Sequence, residues 1–175
     1  WLVNMEPKEE NIKRMIANAA ADYSITEQLS LVVRGTYDYV DYKMTEKHAA
    51  GSNVTNVSQN GQYIFGDRTD TKAYADALLK YDNTFGKLNV TGFLGGSYTK
   101  NKWSGKGANN GTNNLLYPNV FSTQNYPTNI VVNEYGGETI MQSLYASVSL
   151  GWNDMFYLDF SGRNDWSSTL IGTDD

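Results

Sequence analysis

The stretch LYASVSLGWNDMFYLDFSGRNDWSSTL, residues 144–170, decides the fold. Two runs of alternating apolar and polar residues flank the short hinge Asn153–Asp154. In the second run every charge falls on one parity, at Asp159, Arg163 and Asp165. The other parity is uncharged throughout: Phe156, Leu158, Phe160, Gly162, Asn164 and Trp166. Because side chains alternate between the two faces of a strand, the stretch predicts a hairpin with one uncharged face and one polar face.

The same two-residue period runs along most of the chain and predicts six antiparallel strands. Their predicted ranges are about 12–24, 28–43, 72–83, 86–100, 139–152 and the second half of the quoted stretch. Within each successive pair, the strands are joined by a connection short enough for a hairpin. Two long segments, 44–71 and 101–138, separate the hairpins and are rich in Asn, Gly, Ser and Thr. This alternation of tight turns and long loops is typical of a bacterial outer-membrane β-barrel.

Composition argues against several classes of protein. The 175 residues carry a net charge of −5, whereas nucleic-acid binding requires a basic face. With no cysteine and one histidine, the chain offers neither a disulfide framework nor a Cys or His metal cluster. No set of residues has a spacing that predicts catalysis, so we expect no enzyme activity, no cofactor and no metal. The mean hydropathy is −0.51, but a transmembrane strand is half polar and leaves little trace in hydropathy.

Alternation alone does not separate a membrane barrel from a soluble β-sandwich, because both have an apolar face. The uncharged faces favour the barrel, since they are rich in alanine and glycine, which fill a soluble core poorly. Aromatic residues cluster near both ends of the strands, as in the interfacial girdles of a barrel. Several predicted strands also reach the length of about 9–11 residues that a transmembrane strand needs. A soluble β-sandwich that binds carbohydrate through its long aromatic loops stays open as the alternative.

Six strands are too few to close a transmembrane barrel, since the smallest single-chain bacterial barrels have about eight. An open sheet edge in hydrocarbon would leave backbone groups without hydrogen-bond partners. We therefore expect residues 1–175 to be part of one barrel domain within a longer protein.

Several short sequence motifs occur close together between residues 145 and 168. They are Tyr145-Ala146-Ser147-Val148, Leu150-Gly151-Trp152, Tyr157-Leu158-Asp159 and, most specifically, Arg163-Asn164-Asp165-Trp166-Ser167-Ser168. Residues 1–38 add a Trp-containing loop, an Arg-Ile strand, a tight turn and a Leu-Ser-Leu strand. Together these motifs resemble mid-barrel sequence of the SusC/RagA family of TonB-linked outer-membrane transporters of Bacteroidetes.

The resemblance implies a transmembrane β-barrel of about 22 strands, of which this chain supplies a part. It also implies an N-terminal plug domain and a TonB box, both outside this chain, through which TonB supplies energy. The implied partner is a SusD-like lipoprotein, and the implied cargo is an oligosaccharide or a peptide. The implied location is the bacterial outer membrane, with the uncharged faces of the strands against the lipid bilayer.

Charged residues on the polar parity are predicted to line the aqueous lumen of the barrel. They are Arg34, Asp38, Asp76, Lys80, Asp159, Arg163 and Asp165. Residues four apart on one strand, such as Arg34 and Asp38, lie about 13 Å apart, so ion pairs between strands are expected instead. Arg163 and Asp165 either face the plug or the cargo, or form an ion pair that serves only the architecture of the wall.

Four aromatic residues in the predicted loops are candidates for contact with cargo or with the lipoprotein: Trp103, Tyr117, Tyr126 and Tyr135. Their rings could stack on sugar rings, or they could instead pack the loops against each other. The glycine-rich stretch 104–111 lacks the spacing of a phosphate-binding loop and predicts a flexible loop.

Overall fold

The computed structural model describes residues 7–52 and 58–168. The strands are β1 (Lys8–Ser24), β2 (Leu29–His48), β3 (Gln62–Phe85), β4 (Leu88–Asn109), β5 (Asn133–Trp152) and β6 (Phe156–Ser167). They form one six-stranded sheet in which each strand pairs with its neighbours in sequence. This confirms the predicted all-β, up-and-down arrangement. The last two residues of the quoted stretch, 169–170, lie outside the described residues.

The hairpin of β5 and β6 follows from its turn sequence. Asn153 and Asp154 have φ values of 52° and 55°, a left-handed pair that asparagine and aspartate tolerate. The resulting register places uncharged residues opposite each other, as in Val148 with Phe160. On the other face it pairs Ser143 with Asp165, and a slip of one residue would exchange the two faces. The predicted hairpin and its two unlike faces are therefore confirmed.

The middle strands are longer than the sequence predicted, since β3 has 24 residues and β4 has 22. They extend into the predicted loops 44–71 and 101–138, so that the two connections shorten to 49–61 and 110–132. Residues 53–57 of the first connection lie outside the described residues.

The glycine-rich stretch 104–111 was wrongly predicted as a flexible loop, because residues 104–109 continue β4. The glycines are needed for close contacts rather than for flexibility. A Cβ on Gly107 would lie 2.8 Å from the main-chain oxygen of Phe65, and a Cβ on Gly105 would lie 2.7 Å from that of Asp67. Because most side chains in this stretch are small, the alternation of apolar and polar residues is not visible in the sequence, although the backbone forms a strand.

By contact density the chain divides into two units. The strand unit comprises Met15–Asp38, Thr71–Lys102 and the described residues from Glu138 onward. The loop unit comprises the described residues up to Arg14, together with Tyr39–Asp70 and Trp103–Gly137. None of the described residues belongs to a helix long and apolar enough to cross a membrane.

In the strand unit the buried side chains lie on the polar parity of their strands: Asp76, Leu78, Thr99 and Ser143. Other residues of that parity, such as Asp159 and Arg163, are exposed. The uncharged parity is open, with Leu94 52% exposed and Phe160 58% exposed. A soluble sheet that buried its apolar face would show the reverse pattern.

The loop unit has a small apolar core of its own. Ala108, Leu115 and Tyr126 are buried there. Partly buried apolar side chains from β3 and from the connection between β4 and β5 pack around them: Tyr63, Phe65, Phe121 and Ile130. The second long connection is therefore folded against β3 and the end of β4.

Candidate functional site

A belt of polar and aromatic side chains crosses the polar face of the strand unit. We call it the polar belt; its members are Arg34, Tyr74, Asp76, Ser143, Tyr145, Arg163 and Asp165. They come from β2, β3, β5 and β6, and within each strand they share one parity. The belt contains four of the seven residues that the sequence predicted to line a lumen.

Asp76 is the enclosed centre of the belt. Its side chain has no exposed surface, whereas that of Arg34 is half exposed. Arg34 donates two hydrogen bonds to the carboxylate, one of them from Nε to Oδ1 at 2.9 Å. The Tyr74 hydroxyl donates a third at 3.0 Å. The buried negative charge is therefore matched by a bidentate guanidinium and a phenol.

The second half of the belt is built around the ring of Tyr145. Gly95 leaves room for this ring, because a Cβ there would lie 2.7 Å from it. The guanidinium of Arg163 lies over the ring at 5.6 Å from its centroid, a cation–π geometry. Arg163 also donates from Nε to Asp165 at 2.8 Å and from Nη2 to Ser143 at 3.1 Å.

The contacts decide which charges pair. Arg34 pairs across strands with Asp76, so the expected pairing between strands holds for this residue. Arg163 instead pairs with Asp165 on its own strand, and its bond between strands goes to Ser143. A four-residue separation is too long for an ion pair along a strand, whereas a two-residue separation is not.

The remaining predicted lumen residues lie on the same polar parity but outside the belt. Asp38 is half-buried on β2, and Asp159 is exposed opposite Ser149. Lys80 is exposed and lines, with Asp82, a cavity of about 560 Å³ near the tight turns.

Removing the Arg34 side chain is expected to destabilise the sheet far more than removing one member of an exposed ion pair. Arg34→Ala would leave the enclosed Asp76 carboxylate without its countercharge. Lys100→Ala is the matched control, because the Lys100–Glu138 pair at 2.9 Å has both side chains about 40% exposed. The midpoint of thermal unfolding of the full-length protein should fall clearly for the first variant and barely for the second. Adding Asp76→Asn to Arg34→Ala should restore part of the loss, and equal effects of the two single variants would contradict the assignment.

Of the four predicted aromatic candidates, Tyr126 packs the loops. It is buried, and its hydroxyl donates to the main-chain oxygens of Tyr63 at 2.8 Å and Ala108 at 3.3 Å. Burial raises the pKa of this hydroxyl, and the neighbouring Tyr63 raises it further. The ring is therefore not available to a ligand.

The other three candidates are accessible to different degrees. Tyr117 lies in the second connection and is 68% exposed. Trp103 and Tyr135 belong to strands β4 and β5 rather than to loops, because those strands are longer than predicted. Tyr135 is exposed and Trp103 is half-buried.

Two asparagines that the sequence did not single out hold the second connection in place. Asn110 accepts a hydrogen bond from the Tyr63 amide at 2.8 Å and donates to the main-chain oxygen of Gly61 at 3.1 Å. Asn125 accepts from the Tyr117 amide at 2.8 Å and donates back to the Tyr117 oxygen at 2.7 Å. The only signal in the sequence was the density of asparagine, which also fits an unstructured loop.

Charged residues also occur on the other parity, at Lys100, Lys102 and Glu138 in the strand unit and at further positions in the loop unit. Those in the loop unit include Asp41, Lys43, Asp67, Lys106 and Glu134, which surround a cavity of about 620 Å³. Along β4, the uncharged parity runs from Leu88 to Tyr98 before the first lysine, Lys100, appears on it. The uncharged surface is thus a band of limited length rather than a whole sheet face.

No family model matches the chain, and no curated protein matches it. Several solved structures do match it. The "RagAB peptide transporter" aligns with a TM-score of 0.79 and 19% identity, over 95% of this chain and 18% of that chain. The "RagAB peptide importer" aligns with a TM-score of 0.77 and 20% identity in two states. The "open-open" state covers 95% of this chain and 18% of that chain, and the "closed-closed" state covers 94% and 18%.

The chain therefore spans less than a fifth of the length of the proteins it matches. At this identity the likeness concerns the fold. The resemblance to SusC/RagA barrel sequence is confirmed at that level, since the six-stranded sheet has the fold of a segment of RagAB.

Proposed function

We propose that this chain is a wall segment of a SusC-like, TonB-dependent transporter in the bacterial outer membrane. The carrying observation is the inverted burial of the strand unit, in which the side chains that are buried lie on the polar parity and the uncharged parity is open. Leu94 is 52% exposed, whereas the Asp76 carboxylate has no exposed surface. This arrangement suits lipid outside and water inside.

The length of the uncharged band supports the same proposal. On β2 it runs from Leu29 to Tyr39 before Asp41, and on β4 from Leu88 to Tyr98 before Lys100. A tilted transmembrane strand needs about 9–11 residues, which these two stretches supply. On each strand the uncharged band ends in a tyrosine, Tyr39 on β2 and Tyr98 on β4, as expected for an interfacial girdle of aromatic residues. The charged ends and the folded connections beyond it are then the extracellular part.

The soluble β-sandwich alternative lacks support from the described residues. A sandwich would cover the uncharged face with a second sheet. Residues 7–52 and 58–168 form a single sheet, and this face is exposed.

We propose the cargo, partner and energy source that the sequence resemblance implies, and the fold match is consistent with them. The cargo is an oligosaccharide or a peptide, and a SusD-like lipoprotein meets the extracellular part. TonB drives transport through a plug domain outside this chain. The polar belt is an internally paired wall, and it leaves few unpaired charges to trap a passing cargo.

Cysteine labelling tests the two faces directly. The chain has no cysteine, so Leu94→Cys and Ser97→Cys place single thiols on opposite parities of β4. In a full-length protein free of other cysteines, a membrane-impermeant maleimide should label residue 97 and leave residue 94 unreacted. A lipid-phase thiol reagent should show the reverse preference. Rapid labelling of both positions by the water-soluble reagent would refute the membrane assignment.

A further inference from the structure

An apolar groove crosses the uncharged face of the strand unit near the tight turns. It has a volume of about 270 Å³ and is lined by residues of β2, β3, β4 and β5. Gly92 and Ala146 lie in it, between the longer apolar side chains of Leu79, Val90, Leu94 and Val148. None of the described residues that line the groove carries a charge.

The gap at Gly92 is required by the geometry of the sheet. Positions 90 and 94, on the same parity of β4, carry valine and leucine, whereas position 92 carries no side chain. A Cβ on Gly92 would lie 2.6 Å from the main-chain oxygen of Ser147. The row of side chains along β4 is therefore interrupted where the close approach of β5 excludes a side chain.

The groove has the length of one layer of acyl chains. On β4 it extends from Val90 to Leu94, which is about 13 Å of strand. The hydrocarbon of one leaflet is about 15 Å thick, half of the bilayer core. On β5, Val148 lies four residues from the exposed Trp152 beside the tight turn, so the groove lies deeper than that interfacial aromatic residue.

The surroundings of the groove restrict what can fill it. Water would find no hydrogen-bond partners among apolar side chains. An extended peptide would leave N–H and C=O groups unpaired, because β2 to β5 each have a strand on both sides and their backbone groups are engaged in the sheet. A hydrocarbon chain has no polar groups to satisfy and can follow the groove between the side chains that border it.

We infer that this groove binds an acyl chain of a phospholipid from the periplasmic leaflet. The inference rests on the proposed function, which places the uncharged face in the bilayer and the tight turns on the periplasmic side, and it adds a lipid to the partners. Lipid tails are as apolar as leucine, so the chain gains nothing from leaving its neighbours except closer packing. Leu79, Leu94 and Val148 supply these packing contacts at the sides of the groove.

Native mass spectrometry tests the inference by counting the lipids that the full-length transporter retains. The protein is reconstituted in vesicles of palmitoyl-oleoyl phosphatidylethanolamine and then transferred into mild detergent. We expect Ala146→Leu to retain one phospholipid per chain fewer than wild type, because the leucine side chain would occupy the groove. Ala146 is exposed and lies opposite Gly162 on β6, so there is room for the larger side chain.

Ala75→Leu is the matched control. It makes the same change on the same parity of β3, at an exposed position outside the groove, and should retain as much phospholipid as wild type. Leu79→Ala removes one side of the groove without filling it and should lower retention severalfold. This second variant keeps the inference testable if Ala146→Leu fails to fold.

Three results would overturn the inference. The first is equal retention by wild type and both groove variants. The second is retention of lipopolysaccharide in place of phospholipid when the vesicles contain both, and the third is cross-linking of two copies through Ala146→Cys in the membrane. The cysteine labelling of residues 94 and 97 reports the face and not the groove, so failure of the groove is distinguishable from failure of the proposed function.

Discussion

Replacing Gly92 by alanine should destabilise the sheet by about 1–3 kcal/mol, although it adds a single methyl group. A Cβ at residue 92 would lie 2.6 Å from the main-chain oxygen of Ser147 and 3.3 Å from the Cα of Val148. These are backbone atoms of β5, which cannot rotate away as the end of a side chain could. Strands β4 and β5 would have to separate, and their hydrogen bonds would lengthen.

Gly162→Ala is the matched control for this change. Gly162 lies on the same uncharged parity, on β6, and a Cβ there would meet no atom within 4 Å. The control variant should equal wild type or gain up to about 1 kcal/mol, since alanine restricts the unfolded chain. Urea unfolding of the full-length protein in lipid vesicles measures both. Equal stability of the two variants would show that the close approach of β4 and β5 is not tight.

Gly92 also shows where sequence reasoning reached its limit. The small residues of the uncharged faces predicted contact with acyl chains, and their exposed parity agrees with that reading. The sequence could not reveal that one glycine is required by a neighbouring strand and another is not. That difference depends on the local separation of strands, which no residue type encodes by itself.

The features that were predictable from the sequence are local and periodic. The alternation of apolar and polar residues predicted the two faces of each strand. The Asn153–Asp154 turn predicted the register of the last hairpin. Strand ends were less predictable, because glycine, serine and asparagine occur both in loops and in the outer parts of β4 and β5. In these outer parts, Gly105 leaves space for the Tyr135 ring and Gly137 leaves space for the Trp103 ring.

The candidate site was predictable as a face but not as a set of contacts. Parity placed Arg34 and Asp76 on the same side of the sheet, and their bidentate contact required the register of β2 against β3. Tyr74 and Tyr145 were missed because an uncharged tyrosine on a polar face gives no signal of its own. Tyr126 left ligand contact and loop packing equally open, and only its burial decided for packing.

Replacing Leu94 by lysine should have the largest effect of any single surface change, about 2–4 kcal/mol. Leu94 lies near the middle of the uncharged stretch of β4 that runs from Leu88 to Tyr98, and its side chain is exposed. In water, an exposed lysine on a strand would lower the free energy of unfolding only slightly. In a bilayer the ammonium group would sit at mid-depth in hydrocarbon, with a long way to either interface.

Two controls on the same strand separate membrane depth from general damage. Tyr98→Lys adds the same charge on the same parity at the end of the band, where the cost falls to about 0–1 kcal/mol. Ser97→Lys adds it on the polar face, where water or the wall would solvate it. Unfolding of the full-length variants by urea in vesicles should therefore rank Leu94→Lys as far less stable than the other two. If Leu94→Lys matched Tyr98→Lys, the uncharged face could not lie in hydrocarbon, because depth alone distinguishes these positions.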